Sequence, residues 1–81
     1  MNKTIHLQYF ALLREERGLS NETIETKAAT ALELYEELKE QHGFRLSSEL
    51  LRVAINDEFK RWDSPLKTND TVVFIPPVAG G

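Results

Sequence analysis

The amino-acid sequence predicts an α+β domain in which one main helix packs across one face of a mixed sheet of four to five strands. Three stretches carry this prediction: an alternating segment at residues 4–10, a capped amphipathic helix after Thr30, and an apolar segment at residues 71–75. The chain has 81 residues, which suits one domain with a thin hydrophobic core. We expect the domain to span residues 1–75 and an extended C-terminal tail to span residues 76–81.

The first strand is predicted from alternation with a period of two. Ile5, Leu7 and Tyr9 share one face of residues 4–10, and His6 belongs to the other face. We interpret His6 as an ordinary exposed strand residue rather than a catalytic one, because the sequence offers it no evident partner.

Two weaker elements follow the first strand. Residues 11–17 are mostly charged and predict a short helix that Gly18 ends. Residues 22–27 predict a second strand. A hairpin with a loop longer than the tightest turns is the most economical connection between the two strands.

The main helix is the best-defined element of the sequence. Thr30 and Glu33 have the spacing of a capping box, in which the hydroxyl and the carboxylate each bind a backbone amide that the helix leaves unpaired. Gly43 is placed to end the helix in a left-handed turn. The apolar stripe of this helix consists of Ala31, Leu34, Tyr35 and Leu38.

The second half of the chain supplies the remaining strands. Residues 52–56 predict a third strand, residues 59–62 a short strand after a turn, and residues 71–75 the last strand. The last strand is apolar on both faces, so we expect it to be central and to lie parallel beside the first strand. This order of elements is that of the β-grasp, or ubiquitin-like, fold. The predicted core comprises Ile5, Leu7, Leu34, Leu38, Val53, Ile55, Val72 and Phe74.

The composition excludes several classes of function. A net charge of −3 argues against nucleic-acid binding, for which a basic stripe is expected. The absence of cysteine excludes disulfides, thiol nucleophiles and thiolate metal sites. No apolar run approaches the roughly 18 residues of a membrane span, so we expect a cytoplasmic protein without a membrane partner. The sequence has no catalytic serine motif, phosphate-binding loop or metal-ligand cluster, and we expect no bound cofactor and no metal.

The C-terminal tail is the part of the sequence that points to a function. Pro76 and Pro77 fix φ and lack an N–H group, so the chain should leave the sheet stiff and extended. The tail continues with small, uncharged residues, namely Val78, Ala79, Gly80 and Gly81. The α-carboxylate of Gly81 is the predicted reactive group, because no Cβ obstructs its activation by a partner enzyme. The activated acyl group could pass to a sulfur donor, giving a thiocarboxylate, or to an amine, giving an isopeptide.

Motifs along the whole chain match those of one family. Three segments match family motifs: residues 9–15 match F-A-x-x-R-E, residues 63–66 match D-x-P-L, and residues 76–81 match P-P-V-x-G-G. Two others resemble family motifs, namely residues 54–56 (A-V-N) and residues 69–74 (G-D-E-V-x-F). In these motifs the sequence resembles the small subunit of molybdopterin synthase, a MoaD-like sulfur carrier. Asn69 stands where Gly is common in that family, and Ala79 stands where many members have Ser or Thr.

The resemblance implies a function for the tail. A MoeB-like E1 adenylyltransferase would adenylate Gly81 with ATP, and sulfur would then be carried as a C-terminal thiocarboxylate. The tail would enter a MoaE-like large subunit, where sulfur is added to cyclic pyranopterin monophosphate to form the dithiolene of molybdopterin. The family assembly is a heterotetramer with catalytic lysines on the large subunit. This chain is therefore expected to be a non-catalytic, sulfur-carrying subunit in molybdenum cofactor biosynthesis.

The resemblance also assigns a partner surface to this chain. It places Phe59 and Ile75 in an apolar patch that contacts partners, and it suggests that Arg14 contacts them too. From the residues alone, ordinary sheet packing of Phe59 and Ile75 and a surface ion pair for Arg14 are equally acceptable.

Three other functions remain open at the level of sequence. A thiamine-pathway (ThiS-like) sulfur carrier would use the same chemistry, although such carriers tend to lack the prolines found here at Pro76 and Pro77. A ubiquitin-like modifier would be conjugated to lysines of other proteins through Gly81. A scaffold with an inert tail would lose nothing on deletion of its last two residues.

Overall fold

The computed structural model describes residues 2–77 and has the predicted order of strands and helices. The elements are β1 (Lys3–Tyr9), α1 (Ala11–Arg17), β2 (Asn21–Thr26), α2 (Ala31–His42), a 3₁₀ turn (Ser48–Leu50), β3 (Arg52–Ile55), β4 (Glu58–Lys60) and β5 (Thr71–Ile75). Neither helix in the described part is both long and apolar enough to cross a lipid bilayer. Residues 78–81, which include most of the predicted tail, lie outside the described residues.

The five strands form one mixed sheet with the order β2-β1-β5-β3-β4. β5 is the central strand. It lies parallel to β1 and antiparallel to β3, and the two outer pairs are antiparallel. The predicted central position of the last strand and its parallel pairing with the first are therefore confirmed. The α+β class and the β-grasp arrangement are confirmed as well.

β1 passes directly into α1 through an unusual backbone conformation. Phe10 is extended, with φ −127° and ψ 155°, and Ala11 has φ +51°. A positive φ brings the Cβ of a non-glycine residue close to its own backbone, so Ala11 is strained. At the other end of α1, Gly18 has φ +81° and donates its N–H to the Arg14 carbonyl at 2.8 Å. The predicted helix and its glycine stop are confirmed.

α2 begins and ends as the sequence predicts, with one difference in the cap. The Thr30 hydroxyl accepts the Glu33 N–H at 3.2 Å, but the Glu33 carboxylate accepts the N–H of Ala29 rather than that of Thr30. Gly43 has φ +69° and donates its N–H to the Lys39 carbonyl. All four residues of the predicted stripe are buried.

A loop after β4 closes the N-terminus of α2. The Ala31 N–H donates to the Ser64 carbonyl at 3.1 Å, and the Leu32 N–H donates to the Trp62 carbonyl at 2.9 Å. These bonds satisfy amides that a helix leaves unpaired in its first turn. The predicted strand over residues 59–62 is wrong in its bounds, since β4 ends at Lys60 and Trp62 belongs to this loop.

The core lies between α2 and one face of the sheet. All eight predicted core residues are buried. An aromatic cluster fills its centre: the Tyr35 ring lies 5.1 Å from that of Phe74 and 5.8 Å from that of Trp62, and the Trp62 and Phe74 rings stack at 6.0 Å. The Tyr35 hydroxyl donates to the Leu46 carbonyl at 2.6 Å, and burial raises the pKa of Tyr35 to about 12.

A polar network holds the start of β5. Asp70 is only 9% exposed, and its carboxylate accepts the Asn56 side-chain N–H at 2.9 Å and the Lys67 backbone N–H at 2.8 Å. The Asn56 side-chain oxygen in turn accepts the Thr71 N–H at 2.9 Å. Asn69 has φ +72°, a conformation that Gly and Asn adopt most readily, which explains why either residue suits this position.

Candidate functional site

The root of the tail is the C-terminal end of the central strand. In the register of the sheet, Phe74 pairs with Tyr9 on β1 and Ile75 pairs with Arg52 on β3. Pro76, which has no N–H to donate, follows at once and ends the ladder. Pro76 is partly buried and Pro77 is exposed. The sheet therefore ends at Ile75, and the stiff, extended course of the tail beyond it stays a prediction.

The tail root is anchored by the residue that precedes it. The Phe74 side chain is 0% exposed and packs against the rings of Tyr35 and Trp62. Because Phe74 lies two residues before Pro76, the hydrophobic core fixes the point at which the tail leaves the domain.

An open groove of about 360 Å³ lies beside the tail root. Its lining consists of Leu50, Arg52, Phe59, Ile75, Pro76 and Pro77. Phe74 faces the core, so the alternation of side chains along β5 places Ile75 on the face of the sheet opposite α2. Phe59 pairs with Ala54 in the register and shares that face. The groove thus belongs to a face that neither helix in residues 2–77 covers.

The structure brings together two of the three partner-surface residues named from the sequence. Phe59 and Ile75 both line the groove. Phe59 is 64% exposed, so it does not fill the interior of the sheet, and Leu50 beside it is 57% exposed. Exposed apolar side chains that gather in one groove are typical of a surface that binds another molecule. The role of this surface in partner binding remains a prediction.

Arg14 lies apart from the groove. It is an exposed residue of α1 and is not among the residues that line the groove. Within residues 2–77, its guanidinium has neither an ion-pair nor a hydrogen-bond partner. The part of the chain that the structure describes therefore does not form the surface ion pair that the sequence allowed, and a partner contact by Arg14 stays a prediction.

Sequence reasoning missed Leu50 and Arg52 as members of the groove. The Arg52 guanidinium carbon lies 5.7 Å from the centroid of the Phe59 ring, within the range of a cation–π interaction. The signal that could have found Arg52 is the alternation of residues 52–56, which puts it on the face opposite the buried Val53 and Ile55.

A second polar cluster stabilises the connection between β1, α1 and β2. The Glu22 carboxylate accepts the Tyr9 hydroxyl at 2.7 Å and two N–H groups of Arg17 at 2.9 Å each. The Arg17 hydrogen bond lowers the pKa of Glu22, and burial raises the pKa of Tyr9 above its ordinary range. Burial lowers the pKa of nearby His42. We interpret this cluster as structural, because its donors and acceptors are matched with one another.

The fold and the sequence of the tail define the chain as a ubiquitin-like protein of the β-grasp class. The model of the ThiS family matches residues 7–81, and the chain belongs to that family.

Two similar proteins carry names that refer to molybdopterin. The molybdopterin synthase sulfur carrier subunit of Haemophilus influenzae is 32% identical over 80 residues, which cover 95% of this chain and 99% of that protein. A putative molybdopterin converting factor subunit 1 from Pyrococcus furiosus has a TM-score of 0.76 and 29% identity, covering 94% of this chain and 99% of that one.

A second similar structure comes from a complex. The complex of subunits 1 and 2 of the molybdopterin-converting factor from Helicobacter pylori contains a chain with a TM-score of 0.64 and 28% identity, covering 96% of this chain and 99% of that one. These relatives confirm the resemblance that the motifs indicate.

Proposed function

We propose that this chain is the sulfur carrier subunit of a molybdopterin synthase. The observation that carries the proposal is the tail root: the central strand, anchored by buried Phe74, is followed directly by Pro76 and Pro77, and the sequence continues to Gly80 and Gly81. Relatives named for this function match the chain over nearly its whole length.

The proposed chemistry begins at the Gly81 carboxylate. A carboxylate oxygen attacks the α-phosphorus of ATP on a MoeB-like adenylyltransferase, which forms an acyl adenylate and releases pyrophosphate. A hydrosulfide equivalent from a sulfurtransferase then attacks the carbonyl carbon and displaces AMP. The product is a C-terminal thiocarboxylate. The small residues of the tail leave the carbonyl open to both nucleophilic steps.

Sulfur delivery requires the tail to enter a second protein. Six residues follow Ile75, and they span at most about 20 Å when extended. We propose that this length inserts into a MoaE-like large subunit, where the thiocarboxylate sulfur is transferred to cyclic pyranopterin monophosphate and the dithiolene forms. The exposed Phe59 and the groove around it would lie against that subunit, in a heterotetramer of two small and two large subunits.

Intact mass spectrometry tests the proposal directly. After co-expression with the adenylyltransferase and a sulfurtransferase, the wild-type chain should gain the mass difference between sulfur and oxygen. A variant that lacks Gly81 should not gain it. The same variant should unfold at the wild-type temperature and still bind the large subunit, because Gly81 comes six residues after the end of the last strand in the sequence. Normal molybdenum cofactor synthesis by this variant would contradict the proposal.

The two rival functions that use Gly81 can be separated from this one. The description of the family does not by itself distinguish a molybdopterin-pathway carrier from a thiamine-pathway carrier, but the names of the full-length relatives favour the former. Growth tests decide between them: loss of the gene should abolish molybdoenzyme activity and leave thiamine synthesis intact. A modifier would instead produce a ladder of high-mass conjugates in lysates probed for this chain.

A further inference from the structure

Arg52 is the charged residue in a groove that is otherwise apolar. Its guanidinium lies over the Phe59 ring, and within residues 2–77 no carboxylate lies within ion-pair distance of it. Of the other four arginines of the described part, Arg14 is also without an ion pair, and three pair with a carboxylate, namely Arg17, Arg45 and Arg61. Acidic residues outnumber Lys and Arg by 13 to 10 in this chain, so a shortage of acids does not explain the unpaired guanidinium.

The position of Arg52 ties it to the tail. Arg52 pairs with Ile75 in the β3–β5 ladder, so it lies abreast of the last strand residue before Pro76. Any protein surface that covers Phe59 and Ile75 while it receives the tail must also cover the Arg52 guanidinium. This step rests on the proposed function, in which the large subunit covers the groove.

Burial of an unpaired guanidinium opposes docking. Removal of a charge from water without a counter-charge costs more free energy than the burial of neighbouring apolar surface returns. A guanidinium stacked on an aromatic ring still presents the N–H groups of its edge, and these fit a carboxylate through two parallel hydrogen bonds.

We propose that the large subunit presents an aspartate or glutamate carboxylate to this groove, and that Arg52 binds it. The apolar residues of the groove supply contact area, and the Arg52–carboxylate pair fixes the orientation of docking and selects the partner. Charge pairs at interfaces contribute to specificity in this way because a partner without the acid leaves the cation buried and unpaired.

Replacement of Arg52 by methionine tests the proposal. A partner with a carboxylate at this position and a partner without one predict changes in binding affinity of opposite sign. The probe is the large subunit from the same organism, and its dissociation constant is measured at low and at high salt. A carboxylate opposite Arg52 would lose its partner in Arg52→Met, and affinity should fall by roughly 30-fold or more at low salt. The salt dependence of binding should also become flatter, and Arg52→Lys should restore part of the affinity.

A groove occupant without a carboxylate gives the reverse result. Methionine matches an apolar surface better than arginine does, so Arg52→Met would then bind as tightly as wild type or more tightly, and this outcome overturns the proposal. Arg45→Met is the matched control. The Arg45 side chain is 86% exposed and does not line the groove. The Arg45→Met variant should therefore bind the large subunit with the wild-type affinity.

The rate at which the tail acquires sulfur distinguishes a failure of this inference from a failure of the proposed function. Arg52→Met should unfold at the wild-type temperature and acquire the thiocarboxylate mass at the wild-type rate. If Arg52→Met instead slows adenylation and leaves large-subunit binding unchanged, the carboxylate belongs to the adenylyltransferase and the proposal is wrong. If wild type itself fails to bind the large subunit, the proposed function fails and this inference fails with it.

Discussion

Replacement of Phe74 by leucine measures how firmly the core holds the tail root. The Phe74 ring is 0% exposed and contacts two others, the Tyr35 ring edge-on at 5.1 Å and the Trp62 ring in a stacked arrangement at 6.0 Å. Each aromatic pair contributes about 0.5–1.5 kcal/mol beyond the area it buries. Leucine keeps an apolar side chain of moderate size but forms neither aromatic pair. We expect the free energy of unfolding to fall by about 2 kcal/mol.

The variant should remain folded at room temperature. A chain of this length has a total stability on the order of 4–12 kcal/mol, so a loss of this size leaves the native state dominant. For a domain of 60–100 residues, 1 kcal/mol shifts the melting temperature by about 4–8 °C, and the expected decrease is therefore about 8–16 °C.

Urea unfolding monitored by tryptophan fluorescence provides the assay, because Trp62 belongs to the same cluster. Phe59→Leu is the matched control: it makes the same substitution at a side chain that is 64% exposed, and it should change the free energy of unfolding by less than about 0.5 kcal/mol. If the free energy of unfolding falls equally in the two variants, and its dependence on urea concentration is unchanged, the idea that the aromatic contacts anchor β5 is refuted.

Three further predictions concern the backbone and the polar clusters. Asp70→Ala removes a buried carboxylate that accepts two partly buried hydrogen bonds, and because hydrogen bonds to charged groups contribute about 1.5–3 kcal/mol, it should destabilise the domain by about 2 kcal/mol in urea titrations. Asp63→Ala, at an exposed carboxylate, should be nearly neutral. Ala11→Gly should stabilise the domain by about 0.5 kcal/mol. The substitution relieves roughly 1–2 kcal/mol of left-handed backbone strain, which exceeds the entropic cost of glycine of roughly 0.5–1 kcal/mol. A loss of stability would show that Ala11 is not strained. Since Arg17 lowers the pKa of Glu22 in the folded chain, Glu22 stabilises the fold fully above its unfolded pKa and loses that effect as the pH falls through its folded pKa. Melting temperatures across the acid range should thus fall more steeply for wild type than for Glu22→Gln, and parallel curves would contradict this assignment.

The fold could be predicted because its main elements have strong local signals. The alternation of residues 4–10 and the caps at Thr30 and Gly43 are each recognisable without knowledge of the tertiary structure, and all were confirmed. Phe44 and Leu66, in contrast, are buried in the core but were not predicted. They lie in irregular segments, where no period of two or 3.6 residues marks the buried face.

The groove could be predicted only in part because it depends on strand register. Phe59 and Ile75 were identified through a resemblance, not through any local pattern. Leu50 and Arg52 join them only because β3 runs antiparallel to β5 and aligns Arg52 with Ile75. The bounds of β4 were wrong for a related reason: the Trp62 carbonyl binds an amide at the start of α2, and that contact lies far from Trp62 along the chain.

The motifs that carry the family resemblance mostly hold β5 in place. Residues 54–56 and 69–74 meet in the network of Asn56 and Asp70 at the start of this strand, and Phe74 anchors its other end. Pro76 then ends the ladder, so the sheet stops where the predicted tail begins. A sulfur carrier needs this division, because the tail must enter another protein while the domain stays folded outside it. Substitutions before Pro76 that face the core should therefore act through stability, and substitutions after Pro77 should act through sulfur transfer.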